Sequence, residues 1–298
     1  MASARDIRRR IKGVKGTGKI TRAMEMISAV KMRKAVAQAI AIRPYAESAL
    51  TIFEQLSRNL SQEAHPLLTT RTVKHELYVV IGSHRGLCGA FNTQVARTLR
   101  ATLADDARAG REASFLAVGR KAEAITRRQT GTLLASFPEA VLTPSIEQVR
   151  PITRLIQEEF LSGRIDRVVV VYTHFVSALR QEVKVRALLP ATLTESEKTF
   201  EQASEKKISV TASEYVIEPD AKQVLDRLIP HLIETELLRA VLESNASQEA
   251  ARMVAMRNAS DAAKEMVADL TLAYNQLRQA KVTQEIAELS AGMAAVGG

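Results

Sequence analysis

Apolar positions near the end of the chain repeat with alternating steps of three and four residues. This spacing indicates one stripe along an α-helix that packs against another long helix. A five-residue step then leads to a second stripe of different phase, so we expect the end of the helix to face a different neighbour. The first stripe comprises Met253, Met256, Ser260, Ala263, Val267, Leu270, Tyr274 and Leu277, and the second comprises Val282, Ile286, Leu289, Met293 and Val296.

No proline follows Pro230, so the pattern predicts a helix from His231 to the end of the chain. Pro230 is expected either to kink this helix or to lie in its first turn. At 1.5 Å per residue the rod would be about 100 Å long. A single globular core cannot bury such a rod, so it must pair with another long helix or project into a partner.

Residues 4–60 also follow a helical pattern, with Ser3 as a candidate N-cap. Pro44 is expected to bend this helix or to end one segment of it. One apolar face is predicted at Ile7, Ile11 and Val14, and we expect it to continue through Ile20, Met24 and Ile27.

Between the two helical ends the period changes to that of short, β-branched strands. Such strands alternating with helices are typical of an α/β layer with a mostly parallel sheet. The last two strands are joined tightly, which predicts an antiparallel edge. A polar surface excursion follows at 191–213. The predicted strands are 75–83, 113–119, 132–137, 166–175 and 182–190, and the predicted helices are 91–105, 120–130 and 145–162.

The fold class is therefore α/β plus long helices: an antiparallel coiled coil of the N- and C-terminal helices, with a Rossmann-like α/β domain inserted between them. Two long helices that flank a compact insert can bury their apolar stripes on each other. The predicted boundaries are 1–60 for the N-terminal coiled-coil helix, 61–73 for a linker, 74–215 for the α/β domain and 216–298 for the C-terminal coiled-coil helix.

The net charge of +9 is concentrated in one element. Residues 1–60 hold 13 Lys and Arg but only 4 Asp and Glu, whereas the rest of the chain is balanced. Three interpretations remain open from charge alone: a solvated helix face, an acidic protein partner, or nucleic acid.

Little in the sequence points to chemistry. Cys88 is the single cysteine, which excludes an internal disulfide and fits a reducing compartment. No metal-ligand spacing, carboxylate pair or catalytic triad stands out, so no cofactor, metal or catalytic residue is predicted. No apolar run reaches membrane-spanning length, and the N-terminal stretch lacks the apolar core of a secretion signal.

Two glycine-rich stretches invite a nucleotide interpretation. GVKGTGK at 13–19 fits the start of a phosphate-binding loop, but Ile20 stands where Ser or Thr would hold magnesium. In IGSHRGLCGAFN at 81–92 the glycines do not have dinucleotide-fingerprint spacing. Cys88 with His84 nearby could be a nucleophile and base, but a tight strand-to-helix turn around a buried Cys is favoured.

Four stretches in order resemble the γ subunit of F-type ATP synthase. The likeness covers both termini and the first strand-turn of the middle domain, with the same order and spacing over nearly the whole chain. The stretches are KITRAMEMISAVKMRKA (19–35), GSHRGLCGAFN (82–92), SQEAARMVAMRNASDAA (247–263) and LTLAYNQLRQAKVTQEIAELSAG (270–292).

The resemblance implies a central-stalk rotor without catalytic residues of its own. Its coiled coil would stand inside a ring of three α and three β subunits, and its base would hold the ε subunit and rest on the membrane c ring. Ion flow, with protons as the expected ion, would turn the shaft and drive the β sites through successive nucleotide affinities. The implied copy number is one per complex, the implied location is the cytoplasmic face of the bacterial inner membrane, and neither nucleic acid nor direct membrane insertion is expected.

The resemblance also implies roles for individual residues. Arg278, Gln279 and Thr283 occupy the positions that hydrogen-bond a loop of the β subunit, and Met24 matches the position that meets an acidic β-subunit loop. Tyr215 and Glu218 match the foot region that meets the c ring.

The chain departs from the family pattern at several places. His84 stands where the family usually has Asp, and Gly16 and Gly18 replace better helix formers. Each of these glycines costs about 1 kcal/mol relative to Ala in a helix, so we expect a locally soft shaft. The redox cysteine pair of chloroplast relatives is absent. The alternatives to the rotor are a nucleotide-binding α/β enzyme and a basic coiled-coil nucleic-acid-binding protein.

Overall fold

The computed structural model describes residues 3–58, 65–138, 144–191 and 220–296. The chain divides into two units, one formed by Met1–Ser28 with Arg252–Gly298 and the other by Ala29–Ala251. Its helices are α1 (Ala4–Arg58), α2 (Phe91–Arg108), α3 (Arg120–Thr126), α4 (Ile146–Leu161) and α5 (Ala221–Val296), with a short 3-10 turn at Pro66–Leu68, and its strands are β1 (His75–Ile81), β2 (Glu112–Val118), β3 (Thr132–Phe137), β4 (Arg167–Phe175) and β5 (Gln181–Leu189).

Helix α1 begins with a reciprocal cap and runs without interruption. The Asp6 amide donates to Ser3 Oγ, while the Asp6 carboxylate accepts from the Ser3 amide, both at 3.3 Å. This arrangement satisfies two backbone donors that the first helical turn leaves open. Pro44 lies inside the helix, so the expectation that it ends one segment is wrong. Proline removes only its own donor, and Ala46 and Ala49 just beyond it are buried.

Helix α5 begins at Ala221, ten residues before the rod predicted from His231 and five after the helix boundary predicted at 216. Pro230 is therefore an interior residue, and its placement in the first turn is wrong. Leu225 and Ile229 before the proline are as deeply buried as Ile233 after it. Burial of one continuous face on both sides of Pro230 outweighs the lost hydrogen bond, which explains why the helix extends further back.

The sheet follows the predicted α/β pattern closely. Its strand order is β3-β2-β1-β4-β5, in which β1 pairs in parallel with β2 and β4, and β2 in parallel with β3. Strand β5 pairs antiparallel with β4 at one edge, as the short connection between them predicts. Every strand lies within two residues of its predicted bounds, because β1 and β4 are continuous apolar runs and the other strands are short segments ended by polar or turn residues.

Both faces of the sheet are covered. Leu77, Val79 and Ile81 of β1 belong to a core that includes buried residues of α1, α4 and α5. Tyr78 and Val80 point to the opposite face and pack with residues of α2 and α3. Burial on both faces explains why these strands read as unbroken apolar runs rather than as alternating ones.

Candidate partner-binding surface

The start of α1 and the later part of α5 pack closely and run in opposite directions. A Cβ on Gly18 would lie only 3.3 Å from the Cβ of Ala263. Arg22, one turn later on α1, acts electrostatically on Asp261, which precedes Ala263 on α5. The hydrogen bond from Lys264 is the main reason that the pKa of Asp261 lies below its usual value. The predicted antiparallel coiled coil is therefore present in this unit.

The predicted first stripe of α5 is the buried seam of this coil. Met256, Ser260 and Ala263 are buried, and the other five positions are half-buried. Their neighbours on the other side of the helix, such as Arg257 and Lys264, are exposed. The three-and-four spacing thus identified the packing face of α5 correctly.

The predicted face of α1 is right only for its first part. Ile7 is buried and Ile11 and Val14 are half-buried, but Ile20 and Ile27 are 63% and 54% exposed. The alternating steps continue instead through less apolar residues: Gly18, Thr21, Glu25 and Ser28.

The distance between the two helices explains why Ile20 and Ile27 lie outside the seam. Gly18 has no side chain and Ser28 a short one, so the backbones can approach where an isoleucine would hold them apart. The signal was available in the sequence, because the step from Val14 to Ile20 breaks the alternation. The angular position of a residue around the helix, rather than its apolarity, decides which residues face the neighbouring helix.

The exposed face of α1 combines apolar and basic side chains. We call Lys19, Ile20, Met26 and Ile27 the α1 patch; all four are exposed. Met24 is half-buried beside it, next to an ion pair in which Arg22 Nη1 lies 3.1 Å from Glu25 Oε2. Met24 is therefore accessible, but less so than Met26, which is 58% exposed.

Residues 278–291 of α5 are exposed on all sides of the helix. Arg278, Gln279 and Thr283 are exposed, with Gln279 and Thr283 one turn apart on one face. The second predicted stripe is exposed too: Val282 48%, Ile286 59%, Leu289 70% and Met293 72%. We call residues 278–293 the α5 tip.

The coil register accounts for this exposure. With Gly18 level with Ala263, Ala4 is level with Leu277. Helix α1 begins at Ala4, so its helical residues do not extend along the α5 tip. Among the described residues, the side chains there form local pairs, such as Lys281 with Glu285 at 3.6 Å. The same register places Met24 level with residue 257, about 30 Å along the axis from Arg278. The predicted β-contact residues thus occupy two separate places, and Tyr215 and Glu218 lie outside the described residues.

The glycine-rich motifs form no described nucleotide site. Residues 13–19 lie inside α1, where the backbone amides are used by the helix, so the phosphate-loop interpretation is wrong. After β1, Cys88 is buried, and Asn92 Nδ2 lies 3.1 Å from its sulfur and 2.8 Å from Ser83 Oγ. His84 Nδ1 instead lies 2.9 Å from the carbonyl oxygen of Pro138. This is the tight turn around a buried cysteine that the sequence favours.

Other features limit the chemistry further. Within the part of the chain that the structure describes, no three His, Cys, Asp or Glu side chains are grouped as metal ligands, and no helix is long and apolar enough to cross a membrane. A cavity bordered by Arg186, Glu236 and Arg239 has a volume of about 50 Å³. Small-molecule sites usually hold about 300–1,000 Å³, and an open cleft beside Arg150 and Arg154 of α4 measures about 450 Å³. The α1 patch and the α5 tip both expose apolar side chains beside charged ones.

This architecture defines a class: a stalk-type protein whose terminal helices pair as a coiled coil and whose middle forms an α/β domain. A family model described as ATP synthase matches residues 3–296. The ATP synthase gamma chain of Desulfitobacterium hafniense is 38% identical over 296 residues, and that of Acidithiobacillus ferrooxidans is 40% identical over 297. Each match covers 99% of this chain and 100% of the relative.

Solved structures agree on the fold. The chain is similar to one from the rotor of the Euglena gracilis mitochondrial ATP synthase, with a TM-score of 0.61, 21% identity, and coverage of 94% of this chain and 98% of that one. In rotational state 3 of that enzyme the TM-score is 0.65 at 22% identity, with 98% and 94% covered. The chain belongs to the ATP synthase gamma-chain family.

Proposed function

We propose that this chain is the central-stalk rotor of a rotary ATP synthase and has no catalytic residues of its own. Its role would be to couple ion flow, carried by protons, to ATP synthesis or hydrolysis at the β subunits. The observation that carries the proposal is the uncovered α5 tip, which extends the coiled coil with an exposed apolar surface. A shaft couples sites by contacting their conformations unequally at each angle, and this geometry needs no bound nucleotide of its own.

Two contact regions follow from the surfaces. Arg278, Gln279 and Thr283 would hydrogen-bond a β subunit from the α5 tip. Met24, beside the α1 patch, would meet an acidic β loop, since the lysines and arginines of α1 attract a partner of opposite charge. Beyond Thr283, the apolar stripe would be enclosed by the ring of α and β subunits, where its burial would compensate for its exposure in the isolated chain.

The α/β domain would serve as the base. Tyr215 and Glu218 are proposed to meet the c ring, and the same region to hold the ε subunit. We retain the boundaries 1–60, 61–73, 74–215 and 216–298 as a proposed functional division. The complex would hold one copy of this chain, bound peripherally at the cytoplasmic face of the bacterial inner membrane.

The test measures ATP hydrolysis and ATP-driven proton pumping in membranes carrying the assembled enzyme. Replacing Arg278 and Gln279 together by Ala should lower both rates, because exposed side chains lost from the tip remove contacts to β. Truncation from Thr283 should lower them further. Arg108→Ala is the matched control, since its side chain is 79% exposed on α2.

One outcome would refute the assigned contact residues alone, and another would refute the rotor function. Wild-type rates in the Arg278→Ala, Gln279→Ala variant would remove the assigned contact roles but leave the rotor. Failure of the intact chain to co-purify with α and β subunits would remove the rotor itself. Salt-sensitive binding of DNA in place of that co-purification would support the nucleic-acid alternative.

A further inference from the structure

Within the second unit, α5 is buried almost all round yet is rich in polar side chains. Between Leu232 and Gln248 every residue is buried except Glu236, which is partly exposed. An apolar helix would bury the same area at lower cost, because buried charges lose their hydration. The buried polar residues of this stretch include Glu234, Thr235, Arg239, Glu243, Ser244, Asn245, Ser247 and Gln248.

Several of these side chains are bonded to the sheet. Glu236 Oε2 lies 2.9 Å from Arg186 Nη1 of β5. Glu243 Oε2 lies 2.6 Å from His174 Nδ1 of β4. Ser247 Oγ donates to the carbonyl oxygen of Thr173 in β4 at 3.1 Å.

Glu243 also accepts from Arg239, one turn earlier on α5, at 3.0 Å. Burial by itself would raise the pKa of Glu243, but the hydrogen bond from His174 and the charge of Arg239 outweigh it and hold the pKa below its usual value. Glu243 is therefore ionised and paired at neutral pH. A further pair joins Glu234 Oε1 to Arg150 Nε of α4 at 3.0 Å.

The Arg186–Glu236 and His174–Glu243 pairs are separated by similar distances along the sheet and along α5. Arg186 is opposite Val170, so the distance to His174 corresponds to four residues of β4, about 13 Å. Glu236 and Glu243 are seven residues apart on α5, about 10 Å. A slip of α5 by one turn, about 5.4 Å, would break both pairs at once.

We propose that Glu236 and Glu243, with Arg186 and His174, fix the axial position of α5 on the sheet, so that torque passes between the α/β domain and the shaft without slippage. The proposal rests on the rotor function proposed above. Apolar packing has no direction and tolerates sliding, whereas a hydrogen-bonded pair of fixed geometry forms at one position only. These four are positioning residues; they touch neither nucleotide nor transported ion.

The decisive variant removes both charges of one pair, as Arg186→Met with Glu236→Leu. Replacing even a buried ion pair by apolar residues is often neutral or stabilising, and this pair is partly exposed. We therefore expect the variant to assemble, to melt at or above the wild-type temperature and to hydrolyse ATP. Protons pumped per ATP hydrolysed should fall by about twofold or more, because each slip of α5 lets ATP be hydrolysed without a proton being pumped. A role in stability alone would leave that ratio unchanged.

The control is Arg164→Met with Glu159→Leu. This pair is also close, at 2.7 Å, and Glu159 is 14% exposed, similar to Glu236 at 16%, but both residues belong to the end of α4 and the loop that follows it. Its pumping ratio should match that of the wild type. A wild-type ratio in the Arg186→Met, Glu236→Leu variant would overturn the proposal. Absence of pumping with the unmodified chain would instead refute the rotor function, so the two failures are distinguishable.

Discussion

One helix, α5, has two stretches with opposite surroundings. From Leu232 to Gln248 nearly every side chain is buried, including charged ones, whereas from Arg278 to Ala291 every residue is exposed, including Val282, Ile286 and Leu289. In the first stretch polar groups are covered by this chain's own sheet and helices. In the second, apolar groups are covered by none of its described residues.

The contrast shows that apolarity and burial are separate properties of a helix. The stretch from Leu232 to Gln248 buries charged side chains and pairs them with fixed partners. These pairs specify the position of the helix at some cost in stability. The tip places apolar side chains outside, which is unfavourable for an isolated protein but suits a surface that another protein covers. The first stretch stabilises this chain's own fold, and the second is the surface that we propose for assembly.

The largest expected effect compares one leucine from each stretch. Leu237 is fully buried and Leu289 is 70% exposed. Leu237→Ala should lower the free energy of unfolding by about 2–5 kcal/mol, because it leaves a cavity in the core. Leu289→Ala should change it by less than about 0.5 kcal/mol. Urea denaturation of the isolated chain measures both, and equal losses would contradict the division of α5 into two kinds of surface.

Glu76 of β1 is another buried carboxylic acid, and its surroundings can be compared with those of Glu243 in α5. Glu76 is 2% exposed, and its nearest arginine nitrogens, on Arg111 and Arg167, are 3.8 Å away, further than the partners of Glu243. Burial and then the neighbouring Asp106 raise the pKa of Glu76 to about 7. The folded state therefore holds a proton that the unfolded state releases above about pH 4.5.

The contribution of Glu76 to the free energy of unfolding should therefore be greatest below about pH 4.5. It should fall by about 1.4 kcal/mol per pH unit as the pH rises towards 7. Glu76→Gln should flatten this slope, which urea midpoints at pH 5, 6, 7 and 8 would show as a difference from the wild type. Groups that do not interact with Glu76 titrate equally in both proteins, so parallel curves would show that Glu76 is ionised in the folded state. The lowered pKa of Glu243 predicts the opposite sense, with stability lost only at more acidic pH.

The smallest expected effect extends the comparison to the two sides of α1. A Cβ on Gly16 would meet nothing within 4 Å, whereas one on Gly18 would lie 3.3 Å from Ala263. Gly16→Ala should stabilise the chain by about 0.5–1 kcal/mol through helix propensity. Gly18→Ala should gain less, because the seam must open slightly. Thermal unfolding would rank the two, and a larger gain at position 18 would contradict the close approach of α1 and α5.

Much of the architecture could be predicted from local patterns. The strands, the antiparallel edge and the α5 seam were predictable because each depends on a run of apolar residues with one period. The start of α5 and the role of Pro44 were not, since a proline's cost competes with packing that the sequence does not display. The face of α1 was predicted only as far as Val14, because further on the seam is made of small residues.

The candidate site was predictable to a different degree. Resemblance to a family indicated Met24, Arg278, Gln279 and Thr283, and the structure places them on accessible surfaces, while their contacts remain predictions. The exposure of the α5 tip could be anticipated from the phase shift after Leu277. The ion pairs of Glu236 and Glu243 could not, because a glutamate within a helix is ordinarily a solvated residue.

By itself the sequence determined the order of elements, the helical period of both ends and the concentration of positive charge in α1. These follow from interactions between residues close along the chain. Only the tertiary structure decided which charges of α5 are buried, which isoleucines of α1 are exposed and how far α5 extends beyond the start of α1. Those outcomes depend on what lies opposite each side chain, and the partners are separated by up to 245 residues, as Gly18 and Ala263 are.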